Sequence, residues 1–255
     1  MIRARWAVAS ETYVEEDQEA QGPAPSVEGQ PRQASQHGPR LILLSSLRLS
    51  APASSWERLG FSLTSTPAGS SFVAGGLRFE LEVPADDRSG LAGWQFLSDE
   101  VRPDQLIDGI PTSFTSIPST SSANDSALGV IGVDHVVIMT PSLDRTCGAI
   151  AESLELPLKR IREVGGGVRQ GFHRAGAVIL EVVERPDIDA GEPARLWGLV
   201  FDVADLDAVV DRLGPDVVGA PRDAVQKGRR IATVRAEAGL GCALAFMTPA
   251  SPRGN

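Results

Sequence analysis

Residues 133–144, VDHVVIMTPSLD, decide how this chain is read. The run around His135, with Val133, Val136, Val137, Ile138 and Met139, is apolar enough for a buried strand; Thr140-Pro141 interrupts it, and Ser142 is placed to cap a helix on which Leu143, Cys147, Ile150 and Leu154 share one face. The same grammar returns 63 positions later in LWGLVFDVADLD, residues 196–207, where Asp205 takes the capping position ahead of Leu206, Val209, Val210 and Leu213. Further on, ILEVVE at 179–184 aligns with ALAFMT at 243–248, an offset of 64. Two matches at nearly one offset define an internal repeat, each copy running β-α-β-β-β. Between the outer elements of the first copy lie PLKRIREV, a Gly165-Gly166-Gly167 turn, VRQGFHR, a tight turn at Ala175-Gly176 and AVILEVVE. The triple glycine is read as a hairpin turn, since no helix start or phosphate-binding lysine follows it.

Composition narrows what the repeat can do. The chain has 255 residues, 42% of them hydrophobic, enough for a substantial core. Neither a membrane span nor a secretory leader is expected: no window approaches roughly 18 consecutive apolar residues, and the opening MIRARWAVASETYVEEDQEA has no apolar core, so the expected location is the cytoplasm. A formal charge of −9, from 24 basic and 33 acidic residues, argues against nucleic acid as a partner. The two cysteines, Cys147 and Cys242, have no pairing or zinc-binding spacing and are read as small buried hydrophobes. Of three histidines, His37 falls in a polar stretch, leaving His135 and His173 for chemistry.

Residues 1–40 are expected to be a disordered tail, because residues 9–40 carry almost no large apolar side chains. Residues 111–127 read as a linker, with nine Ser or Thr among the sixteen residues 111–126. Between them, residues 41–110 read as a shortened version of the repeat, built on RLILLSSLRLS, SSWERLG, SSFVAGGLRFELEV and GLAGWQFLS. The two full modules are then 128–190 and 191–250. The fold class is α+β: paired βαβββ modules preceded by a shortened third one.

This layout, with a histidine in an opening strand and a glutamate in a closing strand, resembles the vicinal-oxygen-chelate superfamily of glyoxalases, bleomycin-resistance proteins and extradiol dioxygenases. GVDHVVIMTPSLD, GVRQGFHRAGAVILEVVE and LWGLVFDVADLD are similar to an actinobacterial glyoxalase-like subgroup. The resemblance implies two curved modules around one cleft, in which opening and closing strands supply up to four ligands to a divalent ion such as Zn, Fe, Mn, Ni or Co. It places His135 and Glu181 at two ligand positions, and the repeat offsets place Gly198 and Ala245 at the other two. Half the set is therefore present. A two-residue turn at Ala175-Gly176 would set Gln170 opposite Glu181 and Phe172 opposite Ile179 on the cleft side, with His173 facing outward; Asp202 shares the parity of Gly198.

Two functions follow from the resemblance. One is a metal-dependent lyase, isomerase or oxygenase acting on a substrate with vicinal oxygens. The other is a metal-free small-molecule binding or sequestration protein. A homodimer formed by strand exchange is also compatible with it. Each residue has a plainer reading beside the functional one: His135 as a hydrogen-bonded strand histidine, Glu181 as an outward carboxylate, Trp197 as packing between sheet and helix, Arg229 and Arg230 as a solvated strand edge.

Overall fold

The computed structural model describes residues 41–66, 69–83, 89–118 and 126–250; the expected tail, with His37, and residues 119–125 of the expected linker lie outside them. Two mixed sheets form. The first contains β1 (Ile42–Ser50), β2 (Thr64–Thr66), β3 (Gly69–Ala74), β4 (Leu77–Glu82), β5 (Gly90–Ser98), β6 (Gln105–Ile107) and β7 (Ile110–Thr115), with helix α1 (Ala53–Leu59) after β1. The second contains β8 (Val130–Thr140), β9 (Arg160–Gly165), β10 (Val168–Ala175), β11 (Val178–Glu184), β12 (Arg195–Val203), β13 (Arg222–Asp223), β14 (Arg230–Thr233) and β15 (Ala243–Met247), with helices α2 (Leu143–Leu154) and α3 (Leu206–Leu213). Strand order is β2-β3-β4-β1-β5-β7-β6 in one and β13-β14-β15-β12-β8-β11-β10-β9 in the other.

The order explains the repeat. In each complete unit the opening strand runs parallel to the closing strand, β8 beside β11 and β12 beside β15, while the helix crosses one face. An antiparallel seam, β8 against β12, joins the two units. The registers reproduce the repeat offsets: His135 lies beside Ile179 in one unit, and Gly198 beside Ala243 in the other. In the first sheet β1, α1 and β2 to β4 make a complete unit, with β1 parallel to β4. GLAGWQFLS, read as a further extended run of that shortened module, opens an abbreviated unit as β5, which runs antiparallel to β1 and parallel to β7. Strand β7 also enters the stretch read as linker. Its Ser/Thr content hides an alternation in which Thr112 is buried and accepts the Trp94 indole N–H at 2.6 Å.

Helix entry follows the capping logic: Ser142 Oγ accepts from the Arg145 amide at 3.4 Å, and Asp205 Oδ1 from the Ala208 amide at 3.0 Å. The apolar stripe of α2 buries Leu143, Cys147, Ile150 and Leu154. It approaches β10 closely because Gly171 faces it; a Cβ there would lie 2.7 Å from Cys147 Sγ.

The helix-side faces of both sheets share one hydrophobic core. A chain of rings crosses it: Phe72 stacks on Phe79 at 4.7 Å, Phe79 meets Phe201 edge-on at 5.5 Å, and Phe201 stacks on Phe246 at 6.2 Å between ring centroids. A polar tie reinforces the junction. Asp108, in the β6–β7 turn at φ 46°, accepts from Thr146 Oγ1 at 2.5 Å and Arg145 Nε at 2.8 Å. Because Phe201 is fully buried where the sheets meet, Phe201→Ala is expected to cost about 3–5 kcal/mol in urea denaturation while the protein still unfolds in one transition.

Candidate functional site

The second sheet has one face against the helices and one turned away from them. On the latter, Val137, Met139, Val168 and Val183 form an apolar wall with Trp197, and Val200, Ile231, Ala245 and Met247 form another. His135, on β8, lies beyond Val137 on this face. Glu181 reaches it from β11, being only 5% exposed. The two meet with His135 Nε2 3.4 Å from Glu181 Oε2.

Gln170 is 2% exposed and donates from Nε2 to Glu181 Oε1 at 2.8 Å. The expected pairing is corrected by two positions: the turn is Gly176-Ala177, so Gln170 lies opposite Val183 and Phe172 opposite Glu181, with Ile179 opposite Arg174. Gly176 supplies the positive φ, 68°, required at the first turn position. Sliding the turn by one residue moves partners by two and leaves side-chain parity intact, so Gln170, Phe172 and Glu181 still share the cleft face. His173 points the other way, buried, with Nδ1 2.8 Å from the Leu156 carbonyl.

The residue that organises the site is one that alternation hides. Val200 pairs with His135 but Phe201 pairs with Val133, so Asp134 is an extra residue, a β-bulge. The bulge lets Val133 and Val136, three apart, both enter the helix-side core. It also brings the Asp134 carboxylate onto the same face as its neighbour His135. Asp134 Oδ2 lies 2.6 Å from His135 Nδ1, and Asp134 Oδ1 accepts from Arg229 Nη1 at 2.6 Å. Arg229 Nη2 donates to Asp202 Oδ1 at 2.5 Å, and Nε to the Thr248 carbonyl at 2.7 Å. Arg229 is thus no solvated edge residue: it is 5% exposed, whereas Arg230 is exposed and pairs with Asp207 of α3. The spacing of Val133 and Val136 was the signal for the bulge, since apolar residues on one face of an unbroken strand are an even number apart.

A second bulge corrects Trp197. Leu196 pairs with Ile138 and Gly198 with Val137, so Trp197 is extra and packs on the apolar wall of the cleft. Gly198 and Ala245 lie where the repeat puts the second ligand pair. Neither leaves room for a ligand side chain: a Cβ on Gly198 would lie 2.6 Å from the Ala243 carbonyl oxygen, and Ala245 is fully buried beside Val200, Ile231 and Met247.

The charges influence one another. Burial alone would raise Asp134, but the hydrogen bond from His135, that residue's charge and Arg229 hold its carboxyl at about 2. Burial works against the charged form of His135, yet Asp134 and Glu181 together raise it above the ordinary imidazole value. Burial raises Glu181, opposed by His135. Burial and the charge of Asp134 push Asp202 up to about 6 against the pull of Arg229. Asp134 therefore stabilises the fold only while ionised. That contribution is complete above the unfolded value of 3.8 and is lost as pH falls through about 2. Denaturation of the native chain and of Asp134→Asn between about pH 5 and about pH 2 is expected to show the native advantage shrinking on acidification by on the order of 2 kcal/mol.

Among the described residues, no group of three or more His, Cys, Asp or Glu side chains is placed to hold a metal ion together, and no helix is long and apolar enough to cross a membrane. No family model matches the chain, and no curated protein matches it in sequence. Solved structures do match. A variant of 4-hydroxymandelate synthase from Streptomyces coelicolor is 13% identical with a TM-score of 0.59, the match covering 84% of this chain and 94% of that one. A fusion of a xylose isomerase-like TIM barrel with a 4-hydroxyphenylpyruvate dioxygenase is 13% identical with a TM-score of 0.58, covering 84% of this chain and 49% of that one. Methylmalonyl-CoA epimerase from Mycobacterium tuberculosis is 22% identical over 49% of this chain and 93% of its own, with a TM-score of 0.41. A match over 84% of the chain must draw on both sheets. With its paired βαβββ units and this likeness across both sheets, the chain has a glyoxalase-like fold, shared with 4-hydroxymandelate synthase.

Proposed function

We propose that the cleft face of the second sheet is a small-molecule site that works without a resident metal, its apolar walls enclosing the ligand and His135, Glu181 and Gln170 meeting a polar group at one end. The observation that carries this reading is the filling of the second ligand pair. His135 and Glu181 are spaced as two donors to one ion could be, and Asp134 supports the imidazole as a carboxylate supports a metal-binding histidine. Two protein donors nonetheless hold a divalent ion weakly, and the positions that would complete the set are occupied by the Ala243 backbone and a packed apolar cluster. The residues present do not fit a resident metal. This favours the binding or sequestration reading over a metal-dependent lyase, isomerase or oxygenase.

The His135–Glu181 pair favours a second reading of the same site, metal-free proton exchange with the bound ligand. Both groups are raised from their ordinary values, Glu181 by burial and His135 by Asp134 and Glu181 against its own burial, and the imidazole is only partly covered, with 16% of its side chain exposed. In either case the polar end is assembled by the protein itself.

Elemental analysis of the purified protein is expected to find substoichiometric transition metal, and Mn, Fe, Co, Ni or Zn to move its thermal midpoint by less than about 1 °C. One equivalent of metal, lost in His135→Ala or Glu181→Ala, would return the assignment to the metal-dependent class. The steric part of the argument has its own check. Gly198→Ala is expected to destabilise the fold by about 1–3 kcal/mol by driving β12 from β15, and a neutral outcome would show that the position has room for a side chain.

A further inference from the structure

Arg229 is the most completely engaged side chain of the cleft. It follows a turn at Lys227 and Gly228, the latter with φ 78°, which leads into β14. Its guanidinium meets four oxygen acceptors: Asp134 Oδ1 on β8, Asp202 Oδ1 on β12, the Thr248 carbonyl just past β15, and Gln226 Oε1 on its own turn. With 6% of its side chain exposed, it is a buried cation neutralised by two carboxylates. An arrangement of two carboxylates, an amide oxygen and a backbone carbonyl around one positive charge has the chemistry of a hard-cation site, which takes Ca²⁺ or Mn²⁺ through oxygen donors of these kinds.

We propose that Arg229 is the resident cation of this site, its guanidinium filling an oxygen-lined pocket that would otherwise bind a hard divalent ion, and that through Asp134 it positions His135. Arg229 acts on His135 through Asp134, so it is a positioning residue. It lies on the Nδ1 side of His135, behind the ring edge that faces Glu181, because Asp134 stands between the two. The pocket is thus separate from the His135–Glu181 pair, and the inference does not depend on whether that pair holds a metal.

If the guanidinium is removed, Asp134 and Asp202 face each other across a vacated pocket with their charges uncompensated. The chain should then be destabilised and acquire affinity for an oxygen-seeking cation. The experiment compares the full-length chain with Arg229→Ala by thermal denaturation and calorimetric titration, using Ca²⁺ and Mn²⁺ as probes with EDTA as the blank. The expected result is a midpoint for Arg229→Ala that is lower than that of the native chain and rises by several degrees, roughly 4–8 °C, with one equivalent of Ca²⁺ or Mn²⁺, while the native chain moves by less than about 1 °C.

Addition of Asp202→Asn to Arg229→Ala should abolish the rise, because one charged donor is lost. Arg229→Lys, which keeps the charge but cannot span all four acceptors, should respond less than the alanine variant. If Arg229→Ala fails to fold in EDTA, refolding in Ca²⁺ is the readout, and recovery only with the ion supports the pocket. A variant that is folded but indifferent to both ions, one that fails to fold with or without them, or a native chain equally stabilised would each overturn the proposal.

Discussion

The Asp134 carboxylate is shared: one oxygen faces the His135 ring at 2.6 Å and the other accepts from Arg229 at 2.6 Å. This bond pair joins the opening strand of one module to the β13–β14 hairpin of the other, and it exists because β8 carries one residue more than β12 at that point. Without the bulge, alternation would put Asp134 on the helix side, where the surroundings are Val133, Val136 and Phe201. A carboxylate there would lose its hydration with nothing to replace it. The same extra residue therefore closes the hydrophobic core on one face and builds the polar end of the cleft on the other.

Burying several ionisable groups together is tolerable only because their charges alternate through space. Glu181 faces His135, His135 faces Asp134, Asp134 faces Arg229, and Arg229 faces Asp202. Each carboxylate has a donor, and Gln170 takes the second oxygen of Glu181. Breaking one link leaves the remaining charges without compensation, so the network acts as one unit. The apolar walls beside it have no such interdependence.

The repeat was legible because it is written in hydrophobic periodicity and caps, features that each module must satisfy locally. Ser142 and Asp205 announced the helices, and the offsets of 63 and 64 anticipated the strand registers that place His135 by Ile179 and Gly198 by Ala243. The convergence of His135, Glu181 and Gln170 on one face followed from parity, which survived the misplaced turn. What alternation concealed were the insertions that change parity within a strand, at Asp134 and Trp197. Arg229 was hidden for another reason: its partners lie on β8, on β12 and beyond β15, so only tertiary structure distinguishes it from its exposed neighbour Arg230. The abbreviated unit at β5 to β7 escaped because Thr112 and Phe114 alternate within a Ser/Thr-rich stretch whose composition resembles a linker.

The two modules of the second sheet have divided their labour through one backbone distance. Beside His135 the closing strand presents Ile179, half-buried, and leaves the imidazole free to turn toward Glu181. At the equivalent place β12 and β15 approach so closely that even a methyl group on Gly198 would meet the Ala243 carbonyl. A histidine placed at Gly198 would therefore separate the strands before it could bind anything. The approach that rules out the second ligand pair also packs Ala245 against Val200, Ile231 and Met247, next to the hairpin that carries Arg229. The hairpin that carries Arg229 is held against that packed wall by the pairing of β14 with β15 and by the bond from Arg229 Nε to the Thr248 carbonyl.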